Sequence, residues 1–222
     1  MEKTNSRWFF IFILISLISI FFFPKTSYAE TNWMKFFRKD GLLNTYKRAY
    51  AVYDDKLLIG TFGEGLHIHE GEKITKFTDK NTRTSPQKPD GLISDYITCL
   101  NVDEKHGKIW IGTNAGLSCC NLEGKEWKRY TTENGLPNDV IRDIAIEKDG
   151  TLWVATPMGL AQFDGENWKV HNEKNGLHQN SIHSLNIKGD ALWVGTIGGT
   201  VSRYKNGSWK TYVTFRDEDW NS

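Results

Sequence analysis

Between Asn134 and Trp168 the chain reads NGLPNDVIRDIAIEKDGTLWVATPMGLAQFDGENW. Val140, Ile144 and Ile146, with polar residues between them, predict a first strand. Asp149-Gly150 is a hairpin signal, and Leu152-Trp153-Val154 predicts a second strand, apolar on both faces. A third strand opens at Gly159 and runs through Leu160 to Phe163. Asp164-Gly165 then turns the chain into a fourth, from Trp168 to Val170. Apolar residues spaced by three and four are missing, which excludes a helical solenoid. Four short strands in about 40 residues, with Trp at set places, form the pattern of a β-propeller blade.

The pattern repeats along the chain. Trp127, Trp168 and Trp209 recur every 41 residues, and Trp110, Trp153 and Trp193 form a second series at closely similar spacing. A Gly-Leu signal marks each repeat, at Asp40-Gly41-Leu42, Asp90-Gly91-Leu92, Asn134-Gly135-Leu136 and Asn175-Gly176-Leu177. Repeats are therefore expected over about residues 41–78, 91–131, 135–171 and 176–212. The first diverges most, with Leu58 and Ile74 where the others have Trp. A flat Trp in the second strand of each blade would fill the wedge between neighbouring blades. The expected fold is all-β: about four blades of four antiparallel strands, in an incomplete or open propeller.

Ahead of the repeats, Lys3 and Arg7 precede an apolar run from Trp8 to Phe23, then Pro24 and Ser27-Tyr28-Ala29. This is the layout of a secretory signal peptide over residues 1–29, cleaved after Ala29. The run is shorter than the ~20 residues of a spanning helix. Residues 30–222 would then be periplasmic or secreted, with no membrane contact after cleavage. The whole chain carries a formal net charge of +1, which argues against nucleic acid as a partner. Three cysteines are an odd number for an exported chain, and Cys119 and Cys120 are adjacent. They read as buried free thiols used as small apolar residues, not as a disulfide framework.

The stretch GLPNDVIRDIAIEKDGTLWVATPMGLAQF closely resembles the two-component regulator propeller repeat, whose hallmark is Gly-Leu-Pro, an apolar strand, Asp-Gly-x-Leu-Trp-[Ile/Val]-[Gly/Ala]-Thr and Gly-Leu. The resemblance extends over all four repeats. Ala155 replaces the usual Gly in the third, and Thr200 stands where Leu is expected in the fourth. It implies the periplasmic sensor region of a hybrid two-component system, a class often linked to glycan detection. Rings of that family usually have about seven blades, so four repeats leave three arrangements open. They are a compact four-bladed ring, an open arc that closes by dimerising, and the front portion of a longer gene; the last two together are preferred. Trp33 to Phe37 resembles a lone fourth strand ahead of the first repeat.

Propellers bind on the face made by the loops that enter the innermost strand and the loops between strands two and three. The first set contains Leu43-Asn44, Ile93-Ser94-Asp95, Pro137-Asn138-Asp139 and His178-Gln179-Asn180. The second contains Phe62-Gly63-Glu64, Asn114-Ala115, Pro157-Met158 and Ile197-Gly198. On the inner strands Arg48, Thr98, Arg142 and His183 form one column. Two Arg and a His lining a channel could converge on an anionic or polar ligand, because a guanidinium pairs two hydrogen bonds with a carboxylate. The preferred reading of the column is a solvated channel lining held by local hydrogen bonds. The ligand-binding candidates are Arg48, Arg142, His183, His178, Asn138 and Asn114.

Chemistry beyond this is thin. His67 and His69 share a strand face at metal-compatible spacing, without a further ligand cluster, and read as two histidines on a surface strand. Carboxylates such as Asp139 and Asp149 occupy turn positions that favour Asp for backbone reasons. No metal site, cofactor or catalytic residue is expected. The insertion DKNTRTSPQKPD between Thr78 and Gly91 reads equally as a lid or as a tolerated loop. The function expected is an exported, non-catalytic ligand-sensing module for a polar small molecule or an oligosaccharide. The alternatives are a carbohydrate-active propeller enzyme, or a scaffold that self-associates or docks on another sensor chain.

Overall fold

The computed structural model describes residues 47–85, 88 and 90–213. The expected signal peptide, the strand at Trp33–Phe37, the first Gly-Leu signal and Leu43-Asn44 lie outside the described residues. Among the described residues, sixteen strands form four separate antiparallel sheets. Blade one contains β1 (Lys47–Tyr53), β2 (Lys56–Thr61), β3 (Leu66–Glu70) and β4 (Lys73–Phe77). Blade two contains β5 (Ile97–Asp103), β6 (Lys108–Thr113), β7 (Leu117–Asn121) and β8 (Lys128–Tyr130). Blade three contains β9 (Asp143–Ile146), β10 (Leu152–Thr156), β11 (Gly159–Phe163) and β12 (Trp168–His171). Blade four contains β13 (Ile182–Lys188), β14 (Ala191–Thr196), β15 (Thr200–Lys205) and β16 (Ser208–Val213). In every blade the strands pair in chain order, each with the next. Among the described residues no helix is long and apolar enough to cross a membrane.

The repeated residues each have a local physical role. Asn134 closes a capping box: its side-chain oxygen accepts the Thr131 N–H at 3.1 Å. Asn175 does the same for Asn172, at 2.8 Å. The following glycine takes a left-handed conformation, with φ of 112° at Gly135. A Cβ on Gly135 would come within 2.9 Å of the Trp168 Cβ, so the Gly-Leu turn and the fourth-strand Trp occupy one site. The leucine then turns inward, and Leu92, Leu136 and Leu177 are all buried. At the end of each second strand a buried Thr closes the hairpin. Thr113 and Thr156 each donate to the carbonyl of the glycine three residues on, at 2.7 Å. The glycine before that Thr has a packing reason, since a Cβ on Gly112 would lie 2.3 Å from the Cys99 sulfur and 2.7 Å from Ile141.

Three apolar cores lie between consecutive blades. Leu58, Leu66 and Ile68 of blade one meet Ile97, Ile109 and Ile111 of blade two. Trp110, Leu117 and Cys119 meet Ile141, Ile144 and Val154 of blade three. Trp153, Ala155 and Leu160 meet Ile182, Leu192 and Val194 of blade four. The inner strands pack in order, β1 on β5, β5 on β9 and β9 on β13; among the described residues there is no comparable packing of β13 on β1. Over the described residues the architecture is an open propeller of four blades.

Two expectations change in detail. Val140 is exposed and lies ahead of β9, while Ile141 fills the core position, because both precede the paired strand, where regular alternation does not yet hold. His67 and His69 do share a face, with ring centroids 6.4 Å apart, but both are buried, so the strand is no surface strand. Among the described residues no group of three potential metal ligands assembles. Cys99, Cys119 and Cys120 are free and buried as expected, and burial pushes the Cys99 thiol up to about 12.

Candidate ligand-binding face

The antiparallel order puts the start of each inner strand beside the end of the second strand, so the two loop sets share one end of every blade. Side chains ahead of the inner strands fasten these loops. The Asp95 carboxylate accepts the Asp79 N–H at 2.8 Å, Asp139 accepts Thr132 N–H at 2.7 Å and the Asn180 amide oxygen accepts Glu173 N–H at 2.9 Å. Asp139 is thus a turn residue, as its position implied. The Asp95 carbonyl also accepts the N–H groups of Gly63 and Gly65, at 3.0 and 3.1 Å. These bonds join the blade-one hairpin loop to the entry of β5, where Phe62 and Tyr96 form a bridge.

That junction carries an exposed aromatic pair. The rings of Phe62 and Tyr96 meet edge to face with centroids 4.8 Å apart, and the Arg48 guanidinium lies 5.2 Å from the Phe62 centroid. Asn114 lies beside them: its side-chain oxygen accepts the Ser94 hydroxyl at 2.8 Å, and its N–H donates to the Tyr96 carbonyl at 3.3 Å. The same face continues along the blades with Val140, Met158 and Ile197. Of the seven exposed large hydrophobic residues among the described residues, five belong to this loop face. Isolated exposed apolar residues are ordinary on any surface; the concentration of five of them on one face is the informative feature.

The inner-strand column divides into two kinds of residue. Thr98 and Arg142 bridge to the next blade. The Thr98 hydroxyl donates to the Ile141 carbonyl at 2.7 Å, and Arg142 Nη1 donates to the Ile182 carbonyl at 2.9 Å and to the Ser181 hydroxyl at 3.0 Å. Their polar groups hold blades together. Arg48 and His183, at the two ends of the column, are exposed. Next to the column, the half-buried Asp143 accepts the Leu185 N–H at 2.7 Å and the Ile144 N–H at 2.9 Å, and desolvation holds its carboxyl above the usual range. Asn138 turns its side-chain oxygen to the Val140 N–H at 2.9 Å, and His178 is exposed on its loop. Arg48 and Asn114 therefore lie close to the aromatic pair, whereas Arg142, His183, His178 and Asn138 lie on blades three and four.

The insertion is fastened at its base. Thr82 is buried and donates to the Thr78 carbonyl at 2.7 Å, Asp90 accepts from Thr84, and Arg129 donates to the carbonyls of Gly91 and Leu92 at 3.0 and 2.6 Å. Asp79, Lys80, Arg83, Thr84 and Ser85 line an open depression there.

Comparison with known proteins agrees with this architecture. Residues 135–158 match the two component regulator propeller family. The extracellular domain of a hybrid two component system from B. thetaiotaomicron superposes with a TM-score of 0.65 at 21% identity, over 76% of this chain and 23% of that one. A second such extracellular domain from the same organism gives 0.60 at 21% identity, over 80% and 23%. Virginiamycin B lyase from Staphylococcus aureus gives 0.57 at 18% identity, over 76% and 55%. The chain thus spans about a quarter of the length of the extracellular domains it matches. No curated protein sequence matches it. The described blades have the propeller fold of these solved domains, and residues 135–158 within them are similar to the two component regulator propeller family.

Proposed function

We propose that the chain is an exported, non-catalytic sensing module that binds a polar small molecule or an oligosaccharide on its loop face. The observation that carries this reading is the gathering of exposed apolar side chains on that face, centred on Phe62 and Tyr96 with Arg48 alongside. An aromatic ring stacks on the C–H face of a sugar, and a guanidinium beside it hydrogen-bonds hydroxyl or carboxylate oxygens. The blades supply a rigid base, since the loop backbones are fastened by Asp95, Asp139 and Asn180. Export would follow from residues 1–29, and the similar solved domains of two component systems are extracellular.

Calorimetric titration with a panel of neutral and acidic oligosaccharides tests the proposal. One class should bind, and Phe62→Ala with Tyr96→Ala should weaken it by about tenfold or more, equivalent to about 1.4 kcal/mol. Arg48→Ala should weaken acidic sugars more than neutral ones. No binding by any member, or binding indifferent to all three changes, would overturn it.

A further inference from the structure

The surroundings of Phe62 and Tyr96 carry a chemical bias that the two rings do not have by themselves. Besides the Tyr96 hydroxyl, the acceptor side chains of the two loops that hold the rings are each engaged within the protein. The buried Thr61 hydroxyl accepts the Glu64 N–H at 3.0 Å and donates to the Gly65 carbonyl at 2.8 Å. The Glu64 carboxylate pairs with the Lys76 ammonium at 3.0 Å, and the Asp95 carboxylate accepts the Asp79 N–H at 2.8 Å. Ser94 accepts the Tyr96 N–H at 3.1 Å and donates its hydroxyl proton to the Asn114 side-chain oxygen at 2.8 Å.

The donors are left over. The bond from Ser94 occupies the oxygen end of the Asn114 amide, so the Nδ2 end, with its N–H donors, has no partner among the described residues. The Arg48 guanidinium lies 5.2 Å from the Phe62 ring centroid, and among the described residues no hydrogen bond or ion pair reaches it. Both side chains are exposed. They flank the rings on opposite sides, Arg48 at Phe62 and Asn114 at Tyr96.

Donors without open acceptors select a ligand by its charge. A sugar hydroxyl both donates and accepts, and its proton finds little to meet here. A carboxylate only accepts, and a guanidinium meets its two oxygens with parallel N–H groups. Taking the loop face as the ligand site proposed above, we infer that it selects a carboxylate-bearing sugar, a uronic acid unit. The sugar ring stacks on the aromatic pair, and its carboxylate pairs with Arg48. The Asn114 amide donates to a further sugar oxygen, and Ser94 is the positioning residue that turns that amide outward.

Calorimetry at low salt, on protein expressed from the full 222-residue sequence, tests this with oligosaccharides of galacturonic, glucuronic and mannuronic acid, each beside its methyl ester. The ester keeps the rings and hydroxyls and loses the charge. At least one acid should bind about tenfold or more tightly than its ester. Arg48→Gln should remove that difference and leave the ester's affinity as it was. Asn114→Ala should weaken acid and ester alike, by about threefold or more. Ser94→Ala should do the same yet add nothing to Asn114→Ala, because it acts through that amide, and Ser94→Thr should restore binding. Thermal unfolding checks that each variant is folded. Esters or neutral oligosaccharides that bind as tightly as the acids, in a manner lost with Phe62→Ala and Tyr96→Ala, would overturn the selection for charge and leave the loop face as the site. Binding by no saccharide would overturn both. Additive losses from Ser94→Ala and Asn114→Ala would remove the positioning role of Ser94.

Discussion

At the scale of single residues, the repeat signature reports packing and backbone geometry. His171 shows how closely one side chain can be held. It is buried among Trp153, Tyr204 and Trp209, with ring centroids 5.2 to 5.7 Å away, and its Nε2 lies 3.0 Å from the Gln162 side-chain oxygen. Burial lowers its pKa from 6.5 to about 4. The unfolded chain therefore takes up a proton at a higher pH than the folded one. The stability that neutral His171 contributes is present above pH 6.5 and is lost as pH falls from 6.5 towards 4. His67 is shifted in the same direction by its own burial. Urea unfolding across this range should show stability falling with pH, and His171→Phe should flatten part of the slope; an unchanged slope would refute the assignment.

Among the elements, the second strands show what a neighbouring blade contributes. Trp153 is fully buried, and its indole N–H donates to the Glu147 carboxylate at 2.6 Å. Trp193 holds the same position in the last blade but is only half-buried. Trp153→Ala should cost about 3–5 kcal/mol. Trp193→Ala should cost about 1 kcal/mol, because less of its surface leaves water on folding. Denaturant titration of the two variants checks this, and equal losses would mean that the last face is covered in the monomer. Strand positions and the Trp wedge were legible from alternation and spacing. Val140 was misread because two apolar residues stand side by side ahead of β9, and alternation alone does not say which one faces the core. The buried histidines were misread because polarity predicts exposure only on average.

The whole molecule is held by apolar contact between blades and by hydrogen bonds from side chains to the backbone of the next blade. Covalent staples play no part among the described residues, since Cys99, Cys119 and Cys120 are free and buried. Reductant should therefore leave the melting temperature unchanged within about 1 °C, and thiol reagents should react with the native protein only as fast as it opens. A melting temperature that falls on reduction would disprove this. The candidate site was partly legible at this scale. Column and loop sets follow from repeat register, and Arg48 and Asn114 do lie by the exposed aromatic pair. That Thr98 and Arg142 act as bridges was not legible, because their partners are backbone carbonyls some 40 residues away.

The repeat alone determined four blades, their strand order and the places of Trp and Gly-Leu, because these depend on local turns and on a period that recurs in one dimension. Only the tertiary structure decided which face of each strand meets a neighbour, which polar groups are consumed in joining blades and which apolar side chains stay outside. Those outcomes depend on contacts between residues far apart in sequence, where burial and hydrogen-bond satisfaction outweigh local preference. Phe62 and Tyr96 lie 34 positions apart, and it is the backbone bridge between two blades that makes them one exposed surface.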